Sequence, residues 1–329
     1  MTSYMSSIIS RFLWRLAVVI LVFGLPACGS LPPTATTTPL TVLPIVTPTA
    51  QFTTQPTGTG KIAIASLTGR IVFSAGSHPN EDIYMVNADG YDLIQLTTDP
   101  AADYDPSWSP DGTRIAFRSR RDGNDEIYMM NADGSEQTNL THHPAMDLSP
   151  AWSPDGNHIA FASSREEGGQ STLWIMNLDG SEAERIGDVT GEYPAWSPDG
   201  VRLAFDHQTF SASDFDVWVI NVDGSGAREL AGGSTSQQGP AWSPDGMQIA
   251  FESELEAESH FDHIWLMNDD GSEQRRLSMG YGGRPVWSPD GRYILFQAGD
   301  LYVMEVDSSE VMRLPINGLG ELAFPDWTK

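Results

Sequence analysis

Hydrophobic and polar positions alternate along the chain from about residue 61 in a pattern that restarts every forty-odd residues. Five copies of Trp-Ser-Pro-Asp-Gly begin at Trp108, Trp152, Trp196, Trp242 and Trp287, spaced 44, 44, 46 and 45 residues apart. Each follows a Pro-x dipeptide starting at Pro106, Pro150, Pro194, Pro240 and Pro285, and Pro325-Asp326-Trp327-Thr328 is a degenerate sixth copy. A period of this length with strand-like segments inside it predicts propeller blades.

Each repeat parses into four strands. The Pro-x-Trp-Ser segment is the first. Ser-Pro-Asp-Gly is a tight turn, in which proline presets φ, aspartate bonds locally and glycine supplies the left-handed residue. The alternating runs Arg70–Ser74, Arg114–Ser119, His158–Ser163, Arg202–His207, Gln248–Ser253 and Tyr293–Ala298 are second strands. Third strands start at aliphatic-aromatic pairs: Ile83-Tyr84, Ile127-Tyr128, Leu173-Trp174, Val217-Trp218, Ile264-Trp265 and Leu301-Tyr302. Asn-x-Asp-Gly follows five of these pairs, as at Asn131–Gly134, and Asp-Gly between apolar runs is a strong hairpin signal. Fourth strands end near Leu96, Leu140, Ile186, Leu230, Leu277 and Leu314.

The first strand is counted six times, but its sixth copy stands at the C-terminus. The chain end therefore supplies the inner strand of the first blade, which closes the ring and removes an open sheet edge. The predicted fold is an all-β, six-bladed propeller spanning 61–329. The segment Lys61–Ser66 also reads as a strand, without a place in this count. Of ten tryptophans only Trp14 lies outside a repeat position, so the others are expected to pack between blades.

The Trp-Ser-Pro-Asp-Gly turn, the aliphatic-aromatic pair and Asn-Ala-Asp-Gly-Ser resemble the repeat of TolB-like, WD-repeat-like propellers. Arg121-Asp122-Gly123-Asn124-Asp125-Glu126-Ile127-Tyr128 is an especially close copy. The resemblance covers residues 69–329. It implies a periplasmic, non-catalytic module that binds a lipoprotein partner. Those proteins also carry an N-terminal α/β domain; a different segment stands in its place here.

Residues 1–27 read as an export signal. Arg11 and Arg15 precede the apolar run Leu16–Ala27, which is shorter than a membrane span of roughly 20 residues. Leu25-Pro26-Ala27-Cys28 resembles the bacterial lipobox, which implies lipidation of Cys28, the single cysteine, and cleavage before it. Residues 28–60 are then a lipidated cysteine and a linker. Between Leu31 and Gly60 there are 11 Thr and 6 Pro and no charge, a composition that cannot bury enough surface to fold.

Charge narrows the partners. The net charge is −26, and no acidic residue precedes residue 61. Such a surface repels phosphates and anionic headgroups, so the sequence argues against nucleic acid.

No nucleophile elbow, phosphate loop or His-Glu-x-x-His is present. His142-His143 is expected in a solvated loop. Asp99, Asp103 and Asp105, and Glu252, Glu254, Glu256 and Glu258, are expected to form a solvated acidic rim, with a Ca2+ site as the alternative; no cofactor is otherwise expected. Stereotyped turns should share one face and variable loops the other. Residues just before each Pro-x-Trp should ring the channel mouth on the loop face: Tyr104, Asp105, Leu148, Ser149, Glu192, Tyr193, Gln238, Gly239, Gly283, Arg284, Ala323 and Phe324. Tyr104, Asp105, Glu192, Tyr193, Gln238 and Arg284 are the binding candidates among them. The sequence thus predicts a monomeric, lipid-anchored extracytoplasmic propeller that binds an envelope protein or peptide. A metal-dependent hydrolase or lactonase in the channel is one alternative. A glycan-binding propeller using Tyr104, Tyr193 and Phe324 is another.

Overall fold

The structure, a computed structural model, describes residues 62–329 except 78, 167, 209–213, 234, 254–262 and 279–281. The signal, Cys28, the linker, Lys61 and Glu254, Glu256 and Glu258 lie outside the described residues. All described residues belong to one compact unit, Gly58–Lys329. None of its helices is long and apolar enough to cross a membrane.

Six four-stranded antiparallel sheets form the blades of a propeller, each running from an inner strand outward in hairpin order. In blade 2 the strands are Asp103–Trp108, Arg114–Ser119, Glu126–Asn131 and Thr138–Asn139. Blade 1 is assembled from both ends of the unit. Its inner strand is Glu321–Thr328, paired antiparallel with Arg70–Ser77, followed by Asn80–Asn87 and Ile94–Gln95. Register is set by Ile71 opposite Trp327 and Arg70 opposite Thr328. The predicted closure is therefore how the ring is joined.

The predicted second strands match within a few residues; Arg70–Ser77 is the one that runs longest past its expected end. Each carries a buried phenylalanine, at 73, 117, 161, 205, 251 and 296. Of the residues expected to end the fourth strands, Leu96, Leu140, Leu277 and Leu314 lie just past them, and Ile186 and Leu230 lie within Glu184–Thr190 and Arg228–Ala231. Their side chains are buried, and the N–H groups of Leu96, Leu140, Leu277 and Leu314 donate to third-strand carbonyls.

Cores lie between blades. Val72, Ile83 and Leu96 of blade 1 pack with Trp108, Phe117 and Met130 of blade 2, and five further clusters repeat this around the ring. The inner-strand tryptophans sit in these seams. The indole N–H groups of Trp196 and Trp287 donate to the Ala151 and Ala241 carbonyls of the preceding blades at 3.1 Å.

The turns are closed by their own side chains. Ser109 Oγ donates to Asp111 Oδ1 at 2.7 Å, which also accepts the Thr113 N–H at 3.0 Å. Ser153–Asp155, Ser197–Asp199, Ser243–Asp245 and Ser288–Asp290 repeat the bond. These donors, the Ser109 hydroxyl foremost, hold the Asp111 carboxyl down at about 2.

The segment expected as a strand at Lys61–Ser66 is not one. Ile64–Ser66 is a single 3-10 turn, and Ile62 and Leu67 plug the seam between blades 6 and 1. Every blade already has four strands. Instead of pairing, the segment docks on the seam, with Ile62 partly buried and Leu67 just beyond it buried.

A charged and aromatic septum in the central channel

Each inner strand carries a β-bulge where the chain reaches its proline. In blade 2 the pairing slips between Tyr104 and Ser107, and the same slip recurs in the other blades. The residue before the proline takes a left-handed backbone in all six: Asp105, Ser149, Tyr193, Gly239, Arg284 and Phe324 have φ between 48° and 60°. Glycine adopts this conformation freely; a side chain there costs on the order of 1 kcal/mol or more. Only blade 5 uses glycine.

The bulge turns these residues toward the axis. Tyr193 and Phe324, from opposite blades 4 and 1, stack with ring centroids 6.4 Å apart and planes within 7°. The Arg284 guanidinium carbon lies 3.4 Å from the Tyr193 ring centroid and 5.4 Å from that of Phe324. These three residues form a septum across the channel.

A second ring supports the first. It is formed by the residue after each second-strand phenylalanine: Ser74, Arg118, Ala162, Asp206, Glu252 and Gln297. Three of them reach the next blade. Asp206 Oδ1 accepts the Gly239 N–H at 2.8 Å, Glu252 Oε2 the Arg284 N–H at 2.8 Å, and Gln297 Oε1 the Phe324 N–H at 2.7 Å. Arg118 instead lies between the carboxylates of Asp105 and Asp125, 3.5 Å from each, over the Tyr104 ring. Sequence reasoning missed this ring. Its signal was a charged or amide residue at one fixed place in an otherwise apolar strand.

Burial pushes the Asp206 carboxyl well above the usual carboxylate range, and pushes the Tyr193 hydroxyl up to about 12. Burial alone would lower the Arg284 pKa. The Tyr193 hydroxyl and the carboxylates of Glu252, Asp206 and Asp105 outweigh it and hold the guanidinium charged.

A cavity of about 460 Å³ runs along the axis between the six Pro-x-Trp segments. Its lining begins at the left-handed ring and ends at Ser-Pro prolines of the turns, among them Pro110, Pro154, Pro244 and Pro289, with Lys329 at the rim. None of the six residues preceding the ring touches it. The channel is thus stopped by the septum and leads to the turn face.

The expected mouth of twelve residues is therefore two sets. Asp105, Tyr193 and Arg284 meet at the axis; Tyr104, Glu192 and Gln238 do not line the cavity. Tyr104 is buried beneath Arg118 and Arg120 and donates its hydroxyl to Glu81 Oε2 at 2.8 Å. Gln238 donates to Ser236 Oγ at 2.5 Å. The cause is the alternation of side chains along a strand, which sends adjacent residues to opposite sides, so only one of each pair faces the axis.

The acidic rim is also corrected. Asp103, Asp105 and Glu252 are buried, not solvated. Asp103 is gripped by Arg121 at 2.9 Å, and Asp147 by Arg165 at 2.7 Å in the next blade. Carboxylates so buried need a cation or a donor each. His142 is exposed, while His143 Nδ1 accepts the Ala145 N–H at 3.1 Å. Among the described residues no group of three His, Cys, Asp or Glu side chains is placed to hold a metal ion.

Two family profiles match the chain. The Tricorn protease N-terminal beta propeller domain matches residues 67–173, and the TolB beta propeller domain matches residues 188–321. The chain is thus similar to these propeller domains over those two stretches. No curated protein sequence matches the chain significantly. Among solved structures, TolB from Acinetobacter baumannii is 19% identical with a TM-score of 0.70, over 80% of this chain and 67% of that one. A putative TolB from Agrobacterium tumefaciens is 21% identical with a TM-score of 0.62, over 77% and 91%. A chain of a nidogen/laminin complex is 11% identical with a TM-score of 0.61, over 79% and 98%. At these identities the likeness is one of fold. The repeat accounts for the turns and seams; the axial residues differ from blade to blade within this one chain.

Proposed function

We propose that this propeller is a TolB-like, lipid-anchored, extracytoplasmic, monomeric module that binds a protein or peptide with its loop face and performs no catalysis. The observation that carries the reading is the contrast between the two faces. On the turn face the Ser–Asp and Asn–Ser bonds recur from blade to blade and consume the local polar groups. On the loop face each blade has its own chemistry. Blade 2 displays the half-exposed Arg120 paired with Asp125 at 2.8 Å, and the loop into blade 3 presents Met146, 46% exposed. An arginine and an exposed large apolar side chain on a rigid frame suit a partner surface.

Further support comes from the nidogen/laminin propeller, a similar fold found within a protein complex. The resemblance of residues 25–28 to a lipobox supports the anchor. The test is capture from envelope extract with soluble fragment 61–329, comparing wild type with Arg120→Glu and Met146→Asp. A partner retained by wild type and lost by both variants supports the reading. Equal capture by all three, or none by any, overturns it.

A further inference from the structure

We propose that the axial cavity is a receptor for a small organic monocarboxylate, entering from the turn face and bonding through its carboxylate to the Arg284 guanidinium. This site is separate from the loop face and does not depend on the partner-binding reading.

The argument starts from the state of Arg284. Its guanidinium carries five N–H donors in a plane. Among the described residues its side chain makes no hydrogen bond and no ion pair within 4.0 Å. Tyr193 and Phe324 cover its faces, which satisfies the π contact but no in-plane N–H. Arg284 is only partly buried and lines the cavity, so its donors open onto that space and an acceptor entering it can bond to them.

The nearby carboxylates do not fill that role. Glu252 Oε2 takes the Arg284 backbone N–H, Asp206 Oδ1 takes that of Gly239, and Asp105 faces Arg118. They keep the guanidinium charged without bonding to its fork. Asp326, the other carboxyl of the cavity wall, accepts the N–H groups of Trp108 at 2.6 Å and Trp327 at 2.8 Å.

The backbone agrees. Arg284 holds a φ of 53° at a position where the preceding blade has Gly239. The same left-handed backbone recurs at all six ring positions, and at Arg284 it puts the side chain in the wall of the axial cavity.

The cavity supplies the rest of the ligand's shape. A carboxylate matches the planar fork of arginine bidentately. The walls are proline, tryptophan and small residues, suited to an apolar body, and about 460 Å³ falls within the usual size of small-ligand pockets. Asp105 and Asp326 in the wall, and one guanidinium at the septum, leave no place for further negative charge, so a monoanion is favoured over citrate-like polyanions. Lys329 at the rim adds a cation on the entry path.

Calorimetry on the purified full-length protein tests this with 3-phenylpropionate, its primary amide, citrate, and a short peptide with a free C-terminal carboxylate. The acid should bind, with amide and citrate weaker by about tenfold or more, as the loss of a charge-assisted bond implies. Arg284→Gln should lose about the same factor, and Arg284→Lys, which keeps charge without the fork, should fall between. Comparison of acid and amide on unaltered protein stands even if a variant fails to fold. Loop-face variants Arg120→Glu and Met146→Asp should leave acid binding unchanged, which separates this site from the partner surface. No heat with the acid at about 10 mM, far above useful affinity for a formed pocket, overturns the proposal. Equal binding of acid and amide, unchanged binding by folded Arg284→Gln, or binding of the peptide alone does the same.

Discussion

The guanidinium carbon of Arg70 lies 4.6 Å from the centroid of the Trp108 ring, across the junction of blades 1 and 2. Arg114 over Trp152 and Arg202 over Trp242 repeat the contact at the junctions of blades 2 and 3 and of blades 4 and 5. The arginine opens a second strand and the tryptophan closes the next inner strand. The pair thus fastens blade to blade at the turn face, where Arg70 Nη2 also donates to the Gly112 carbonyl at 2.6 Å.

Arg70→Met should keep the stem packing and lose the cation and the hydrogen bond. The expected destabilisation is about 1–2 kcal/mol. Urea unfolding measures it. A double-mutant cycle with Trp108→Phe should show coupling between the two sites, and additivity would remove the clasp from the account.

Ring closure by the C-terminal strand gives a second expectation. Trp327 is buried in the seam of blades 6 and 1, and its indole N–H donates to the Thr68 carbonyl at 2.9 Å. Trp327→Ala should cost about 3–5 kcal/mol. Deleting 320–329 should expose the Arg70–Ser77 edge and the seam, giving aggregated or unfolded protein. A monomeric deletion variant with an unchanged melting temperature would refute the closure.

The expectation for Cys28 concerns export and anchoring. Cys28→Ala should leave the precursor unprocessed at this position and without acyl label in cells fed a labelled fatty acid. Label on the variant would exclude Cys28 as the lipid attachment site.

Periodic features were legible in the sequence because their causes are local. Ser-Pro-Asp-Gly closes its own turn, and the strands, the seams and the closing strand follow from counting such turns. The axial site was legible only in part. Adjacent residues such as Glu192 and Tyr193 read as neighbours on one mouth, but side chains alternate along a strand, and only Tyr193 lines the axial cavity. Asp206, Glu252 and Arg118 stood in plain view after Phe205, Phe251 and Phe117. Their role depends on the blade-to-blade approach, which no local pattern states. Lys61–Ser66 failed for the complementary reason: it has strand composition and no partner.

Asp326 gives the last expectation, through pH. It is half-buried, and its open side faces the narrow channel, not bulk solvent. Desolvation raises its pKa above the ordinary value, against the lowering effect of the Trp108 and Trp327 N–H groups. A carboxyl with a raised folded-state pKa binds its proton more tightly in the folded protein than in the unfolded chain. Stability from this group is therefore fully present below the unfolded value of about 4 and falls as pH rises through the folded pKa. Asp326→Asn is neutral throughout and still offers an acceptor to one of the two N–H groups. The variant should melt higher than wild type at pH 7, and the gap should close or reverse near pH 4, where the wild-type carboxyl is protonated as well. Thermal melting of both proteins from pH 4 to 8 measures the gap directly. Parallel curves across that range would show that the carboxyl stays ionised in the folded ring and that its two N–H donors outweigh the desolvation.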